Sequence, residues 1–299
     1  MHVNASNSGM WQRYVGFLSL PVALTVFAFY FFRDEHPYPP IYDVQMHYNA
    51  EAWRYFRPKA ILATLDKLQV VQAAVSSTPN DGTFKLRELN AGRIVALASP
   101  YRRREDRNDW VQDPGAYDYL KNELTRFPYL GIGEIHLAPG QLNMPVVRQV
   151  LALGVERGLV LNIHAEAPII TEICKAYPDA RVLWAHAGMT ASTQTVGDVL
   201  DRCANVRTEL SHRPDVAPDG VLAPAWRDLF LRHPDRFMVG SGTYTNEFWY
   251  QFRYVVGHYR RWLATLPAGI AERIAYKNAT AMFSTSASAQ AHQRSPARP

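Results

Sequence analysis

Two cysteines in 299 residues are too few for a disulfide framework or a structural zinc site built on thiolates. Cys174 and Cys203 each fall in an expected helix and read as buried free thiols. Neither a Gly-x-Gly-x-x-Gly nor a Walker pattern occurs, so the glycine-rich cradles that hold dinucleotides and phosphates are missing. Strong charge of one sign is also missing. The net charge is +5, much of it in Tyr101-Arg102-Arg103-Arg104 and the tail 294–299, and Glu105 and Asp106 follow the first run at once. Without a basic stripe interleaved with aromatics, a nucleic-acid partner is excluded.

What is present is apolar: 47% of the residues are hydrophobic, enough to bury one barrel-sized core or two smaller ones. Residues 14–32 carry no charge and are rich in Phe, Leu, Val and Ala. That length meets the roughly 17 to 25 residues a bilayer helix needs. Tyr14, Tyr30 and Trp11 sit near its ends, where interfacial aromatics belong. No small-x-small cleavage site follows, so the segment reads as an uncleaved single-pass anchor. The short tail before it favours the barrel on the extracytoplasmic side. The expected organisation is a tail 1–13, an anchor 14–32, a proline-rich linker 33–40, a folded region 41–283 and a Ser/Ala/Gln/Pro-rich disordered tail 284–299.

Within 41–283 short apolar runs alternate with segments of helical spacing. The spacing predicts strands over 41–47, 70–76, 93–99, 130–136, 159–164, 181–186, 206–212 and 236–241. Helices are predicted over 58–68, 84–90, 114–126, 145–157, 169–177, 195–204, 223–232 and 247–266, with a last one over 271–283. Strict alternation implies a parallel sheet. Eight strand–helix units of this total length fit an α/β fold of the closed (β/α)8 TIM-barrel type, typically about 250 residues. An open doubly wound sheet is the alternative, and the absent phosphate loop speaks against it.

Of ten histidines, His47, His136, His164, His186 and His212 fall at the expected carboxyl ends of strands one, four, five, six and seven. In a barrel these ends meet at one mouth, and several imidazoles there suit a divalent metal such as zinc. Each alone is as well explained as a hydrogen-bonded rim residue. Residues two apart on a strand share a face. Asp43, Gln45 and His47 therefore look one way, as do Glu134 with His136 and Asn162 with His164. Glu209 shares a face with Ser211, which turns His212 toward the outer layer. Arg102, Arg103 and Arg104 follow strand three, where one, such as Arg103, could clamp a carboxylate, and Tyr244 would line the pocket after strand eight.

The stretches Ile41-Tyr42-Asp43-Val44-Gln45-Met46-His47, Gly131-Ile132-Gly133-Glu134-Ile135-His136 and Leu161-Asn162-Ile163-His164 come in order. Val182-Leu183-Trp184-Ala185-His186-Ala187-Gly188, Arg236 to Thr243 and Tyr276 to Phe283 follow. In this series the chain resembles the amidohydrolase superfamily, in its "amidohydrolase 2" branch, over about residues 41 to 283. The resemblance implies a metal-dependent (β/α)8 hydrolase with a His-x-His pair ending strand one and single histidines after strands five and six. It also implies an aspartate after strand eight that binds the metal and accepts a proton from water. His47 matches the second histidine of the pair, His164 the strand-five ligand and His186 the strand-six histidine. Gln45 stands where the first histidine belongs and Gly242 where the aspartate belongs. The replacement set is His47, His136 and His164 for the metal, with His186, Glu134 and Glu209 for proton transfer and Gln45, Arg103 and Tyr244 for substrate. The implied activity is hydrolysis of a C–N or C–O bond in a small molecule. Decarboxylation of an aromatic acid, a membrane-tethered pseudoenzyme that binds without turnover, and a purely structural barrel are the alternatives.

Overall fold

The computed structural model describes residues 38–284. Eight strands, β1 Ile41–His47, β2 Val70–Ser76, β3 Ile94–Ala98, β4 Gly131–His136, β5 Val160–His164, β6 Arg181–Trp184, β7 Val206–Glu209 and β8 Phe237–Met238, pair in parallel in chain order. The backbone amide of Val44 donates to the Val239 carbonyl at 3.0 Å, and that of Gly242 to the Gln45 carbonyl at 2.7 Å. These bonds bring the first strand beside the segment after the eighth, which makes the sheet a TIM-type barrel with its edges joined.

The crossovers are helical: α1 Pro58–Lys67, α2 Asp81–Arg87, α3 Pro114–Arg126, α4 Pro145–Glu156, α5 Ala167–Ala176, α6 Thr193–Arg202, α7 Pro224–Arg232 and α8 Asn246–Leu263. Proline at the first turn of several of them supplies a preset φ where no amide partner is needed. α9 Ala268–Glu272 runs through a π-helical turn, Arg273–Lys277, into α10 Asn278–Phe283. The larger apolar cluster lies between strands and helices. A second joins Tyr42, Val44, Ala74, Leu97, Val160, Leu183 and Met238 to Met282 and Phe283. Residues from strands this far apart in the sheet meet only inside the barrel, and Phe283 stacks on Tyr42 with centroids 5.7 Å apart.

Several expected boundaries move for visible reasons. α2 starts at Asp81 rather than 84 and stops before Asn90, whose side-chain oxygen accepts the Arg93 amide at 3.2 Å and closes a turn. β6 ends at Trp184 because the chain turns left-handed at His186 and Ala187, with φ of 57° and 44°. β7 ends at Glu209, three residues short, and His212 is again left-handed at φ 58°. β8 keeps only two ladder residues, since Ser241 gives its amide to the Asp43 carboxylate at 2.9 Å instead.

Two expectations are corrected. Cys174 in α5 and Cys203 after α6 form a disulfide, with Cα atoms 5.8 Å apart. They are not free thiols: α5 and α6 pack side by side, which sequence spacing could not reveal. The anchor expected over residues 14–32 lies outside the described residues, as do the tails 1–13 and 285–299. Among the described residues no helix is long and apolar enough to cross a membrane. The single-pass membrane location, with the barrel on its extracytoplasmic side, is withdrawn on that finding.

Candidate metal centre and active site

The carboxyl ends of the strands deliver five imidazoles and one carboxylate to the same mouth. Glu134, on β4, stands at the centre. Its Oε1 is 2.8 Å from His164 Nδ1 and 3.0 Å from His186 Nε2. Its Oε2 is 3.4 Å from His136 Nε2 and 3.5 Å from His47 Nε2. Burial alone would raise the Glu134 carboxyl, but His136, His164 and His186 outweigh it and hold it well below the usual range. Burial pushes His47 down to about 4 and lowers His136 as well.

Two of the outer nitrogens have partners of their own. His47 Nδ1 bonds Ser76 Oγ at 3.0 Å, leaving Nε2 to face Glu134. His186 Nδ1 lies 2.8 Å from Ser211 Oγ and 3.0 Å from Glu209 Oε1, and the Glu209 carboxylate also accepts the His186 amide at 2.6 Å. Burial opposes a charge on His186, yet Glu209 and Glu134 together raise it to about 10. A left-handed non-glycine residue costs free energy and persists where its surroundings over-determine it. Glu209 and Ser211 do so here, and they aim the ring.

Glu134, His164 and His186 offer ligand atoms that all lie within 4.8 Å of one another. Two imidazole nitrogens and a carboxylate oxygen form a donor set that suits a borderline divalent metal. A histidine whose far nitrogen is held by a carboxylate is the usual arrangement behind such a ligand. The residues fit the group.

The compact set differs from the expected one. Of His47, His136 and His164, only His164 belongs to it; the other two face the far oxygen of Glu134. Glu134 and His186, expected in proton transfer, belong to it instead, because both point inward beside His164. Glu209 is fully enclosed behind His186 and cannot meet substrate. Gln45 is not at the mouth: 1% exposed, it accepts a 2.5 Å bond from Asn162 across the barrel interior. Arg103 is corrected too, since its exposed side chain pairs with Asp106 and stays outside the cavity lining. Tyr244 does line the cavity.

His212 is the clearest departure. Its ring turns inward, 5.2 Å from that of His186 and 4.5 Å from that of Phe248. The strand ended three residues earlier, so the two-residue alternation no longer applied. A Cβ on Gly242 would come within 2.1 Å of His212 Nε2. The ring thus occupies the space beside the position where the aspartate was expected. Burial lowers its pKa. The sequence reading also passed over Arg107. Its place after the arginine run was the available signal, and it lines a cavity of about 570 Å3 over the cluster together with Gln141, Met189, Tyr244 and Phe248.

The sequence model of the family described as Amidohydrolase matches residues 38–285. Curated proteins give no match. Among solved structures, a Pseudomonas putida protein provisionally assigned as a 2-pyrone-4,6-dicarboxylic acid hydrolase superposes with a TM-score of 0.60 at 15% identity, covering 82% of this chain and 97% of its own. An Agrobacterium tumefaciens protein gives 0.55 at 14% identity, covering 84% and 98%. A protein from Acinetobacter baumannii with the same provisional assignment, crystallised with citric acid, gives 0.55 at 12% identity, covering 81% and 98%. At these identities the likeness speaks for the fold, and the barrel, its mouth and the family match agree: this chain belongs to the amidohydrolase family.

Proposed function

We propose that the chain is a metal-dependent hydrolase that cleaves a C–N or C–O bond of a small molecule held in the cavity above Glu134. The observation that carries this reading is the convergence of four imidazole nitrogens on one buried carboxylate at the carboxyl ends of the strands. The hydrolase assignments of two structural neighbours agree with it. A divalent ion bound there, zinc first among candidates, would supply Lewis acidity of the kind that brings the pKa of water from 15.7 to about 7. Glu134, His164 and His186 would hold it.

The chain's own groups divide the remaining work. Glu209 and Ser211 fix the His186 ring, and Ser76 fixes that of His47. His212, in the cavity lining, would take a proton. Its Nε2 lies 3.1 Å from the Gly242 carbonyl, which can only accept, so Nε2 carries the hydrogen and Nδ1 is the acceptor. Such general-base assistance is commonly worth about 10² to 10⁴ in rate.

A second reading, ligand binding without turnover, is favoured by the repacking at the two departed positions, where Gln45 is tied to Asn162 and Gly242 is packed by His212. Metal analysis of protein purified without chelators tests the first reading. The expected result is about one divalent ion per chain, lost in His164→Ala and His186→Ala, together with release of product from an ester and amide panel. A chain that takes up no ion refutes it. Full occupancy with no turnover on any panel leaves the second reading.

A further inference from the structure

The four arginines after β3 are not alike. Arg102 pairs with Asp106 and Asp113, Arg103 with Asp106, and Arg104 with Glu51. Arg107 makes no side-chain hydrogen bond and no ion pair among the described residues. It is half-buried, and it lines both the large cavity and a small one that opens beside His47 and Tyr101.

Its backbone is held in place. The Asp106 carboxylate accepts the amides of Arg102 and Arg103, each at 3.1 Å, which folds the loop just before it. Three residues later, Trp110 Nε1 donates to the His136 carbonyl at 3.1 Å and ties the loop to the end of β4. The lining carries one carboxylate, Glu134, and imidazoles already surround it. A guanidinium facing a cavity with no acid left to pair is a site for an acid from outside. Its planar fork matches a carboxylate bidentately, and the Tyr244 and Phe248 rings supply apolar wall for the rest of the molecule.

We propose that Arg107 binds a carboxylate of the substrate, so that the hydrolase acts on small organic acids with an apolar body. This deepens the hydrolase reading and rests on it for the word substrate, but the binding itself needs no turnover.

Calorimetric titration of the full chain with benzoate, benzamide and inorganic phosphate tests it. Benzoate should bind, and its neutral isostere benzamide should bind about 10- to 100-fold more weakly, the range for one charge-assisted contact. Arg107→Gln should lose benzoate affinity by the same factor. Arg107→Lys, which keeps the charge and loses the fork, should fall between. Arg103→Gln, on the same loop but paired outside the cavity, should bind as wild type; it also shows whether a change in this loop alone disturbs folding. Equal binding of benzoate and benzamide, or an Arg107→Gln chain that binds benzoate unchanged, overturns the proposal. So does phosphate binding that matches or exceeds benzoate, since the site would then be a general oxyanion site. If the ester and amide panel is hydrolysed while Arg107→Gln leaves benzoate affinity untouched, the hydrolase reading stands and the carboxylate site falls. If benzoate binds through Arg107 and nothing is hydrolysed, the reverse holds.

Discussion

At the scale of single residues, His212 and Gly242 are a matched pair. Restoring the expected carboxylate by Gly242→Asp puts a Cβ 2.1 Å from the His212 ring, at a backbone φ of 61°. The single variant should lose about 1–3 kcal/mol, as overpacked sites do. Adding His212→Ala should return most of it, read from urea melts of the three variants. Asp43 gives a pH-dependent case. Burial raises its carboxyl to about 6, although the Gln45 and Ser241 amides hold Oδ1 and pull the other way. A carboxyl with a raised folded pKa binds more protons folded than unfolded. Stability therefore falls as pH rises from the unfolded value near 4 to about 6, then levels off. Asp43→Asn keeps the acceptor oxygen and removes the titration. Its melting temperature relative to wild type should climb between pH 4 and 6 and stay flat above, a difference worth about 3 kcal/mol. A constant difference across that range would mean that Asp43 titrates normally.

At the scale of elements, strand length decides where each side chain points. β1 and β5 run up to His47 and His164, so there the two-residue alternation still governs which way the imidazoles point. β6 and β7 stop early, and left-handed turns at His186 and His212 aim those rings instead. The helical layer has its own tie in Cys174–Cys203, which spans 29 residues of chain. Closing a loop of that length is worth roughly 3–4 kcal/mol. Cys174→Ser with Cys203→Ser, or reduction of the wild type, should lower the melting temperature by about 10 °C. An unchanged melting curve on reduction, with free thiols titrated before and after, would show that the bridge contributes nothing.

At the scale of the whole molecule, an ion bound by Glu134, His164 and His186 would join β4, β5 and the turn after β6, and would do so only in the folded chain. Binding to the folded state alone stabilises by mass action, about 4 kcal/mol at a thousandfold excess over the dissociation constant. A chelator should therefore lower the melting temperature of metal-loaded protein and leave His186→Ala where it was. The strict alternation of apolar runs and helical spacing made the barrel legible, because period and order depend on local backbone geometry. It also put His47, His136 and His164 at strand ends, and His186 within two residues of one, all at one mouth. What the alternation could not carry was contact between distant segments. That Glu134 sits inside the imidazole cluster, that Gln45 turns to Asn162, that His212 fills the space beside Gly242 and that the two cysteines meet are all matters of packing. Arg102, Arg103 and Arg104 were picked out by composition, yet each found an acid nearby, and the arginine that lines the cavity without one is Arg107. The one-dimensional pattern fixes which elements form and in what order; which side chains face each other depends on where strands end and which neighbours compete for them, and only the closed barrel decides that.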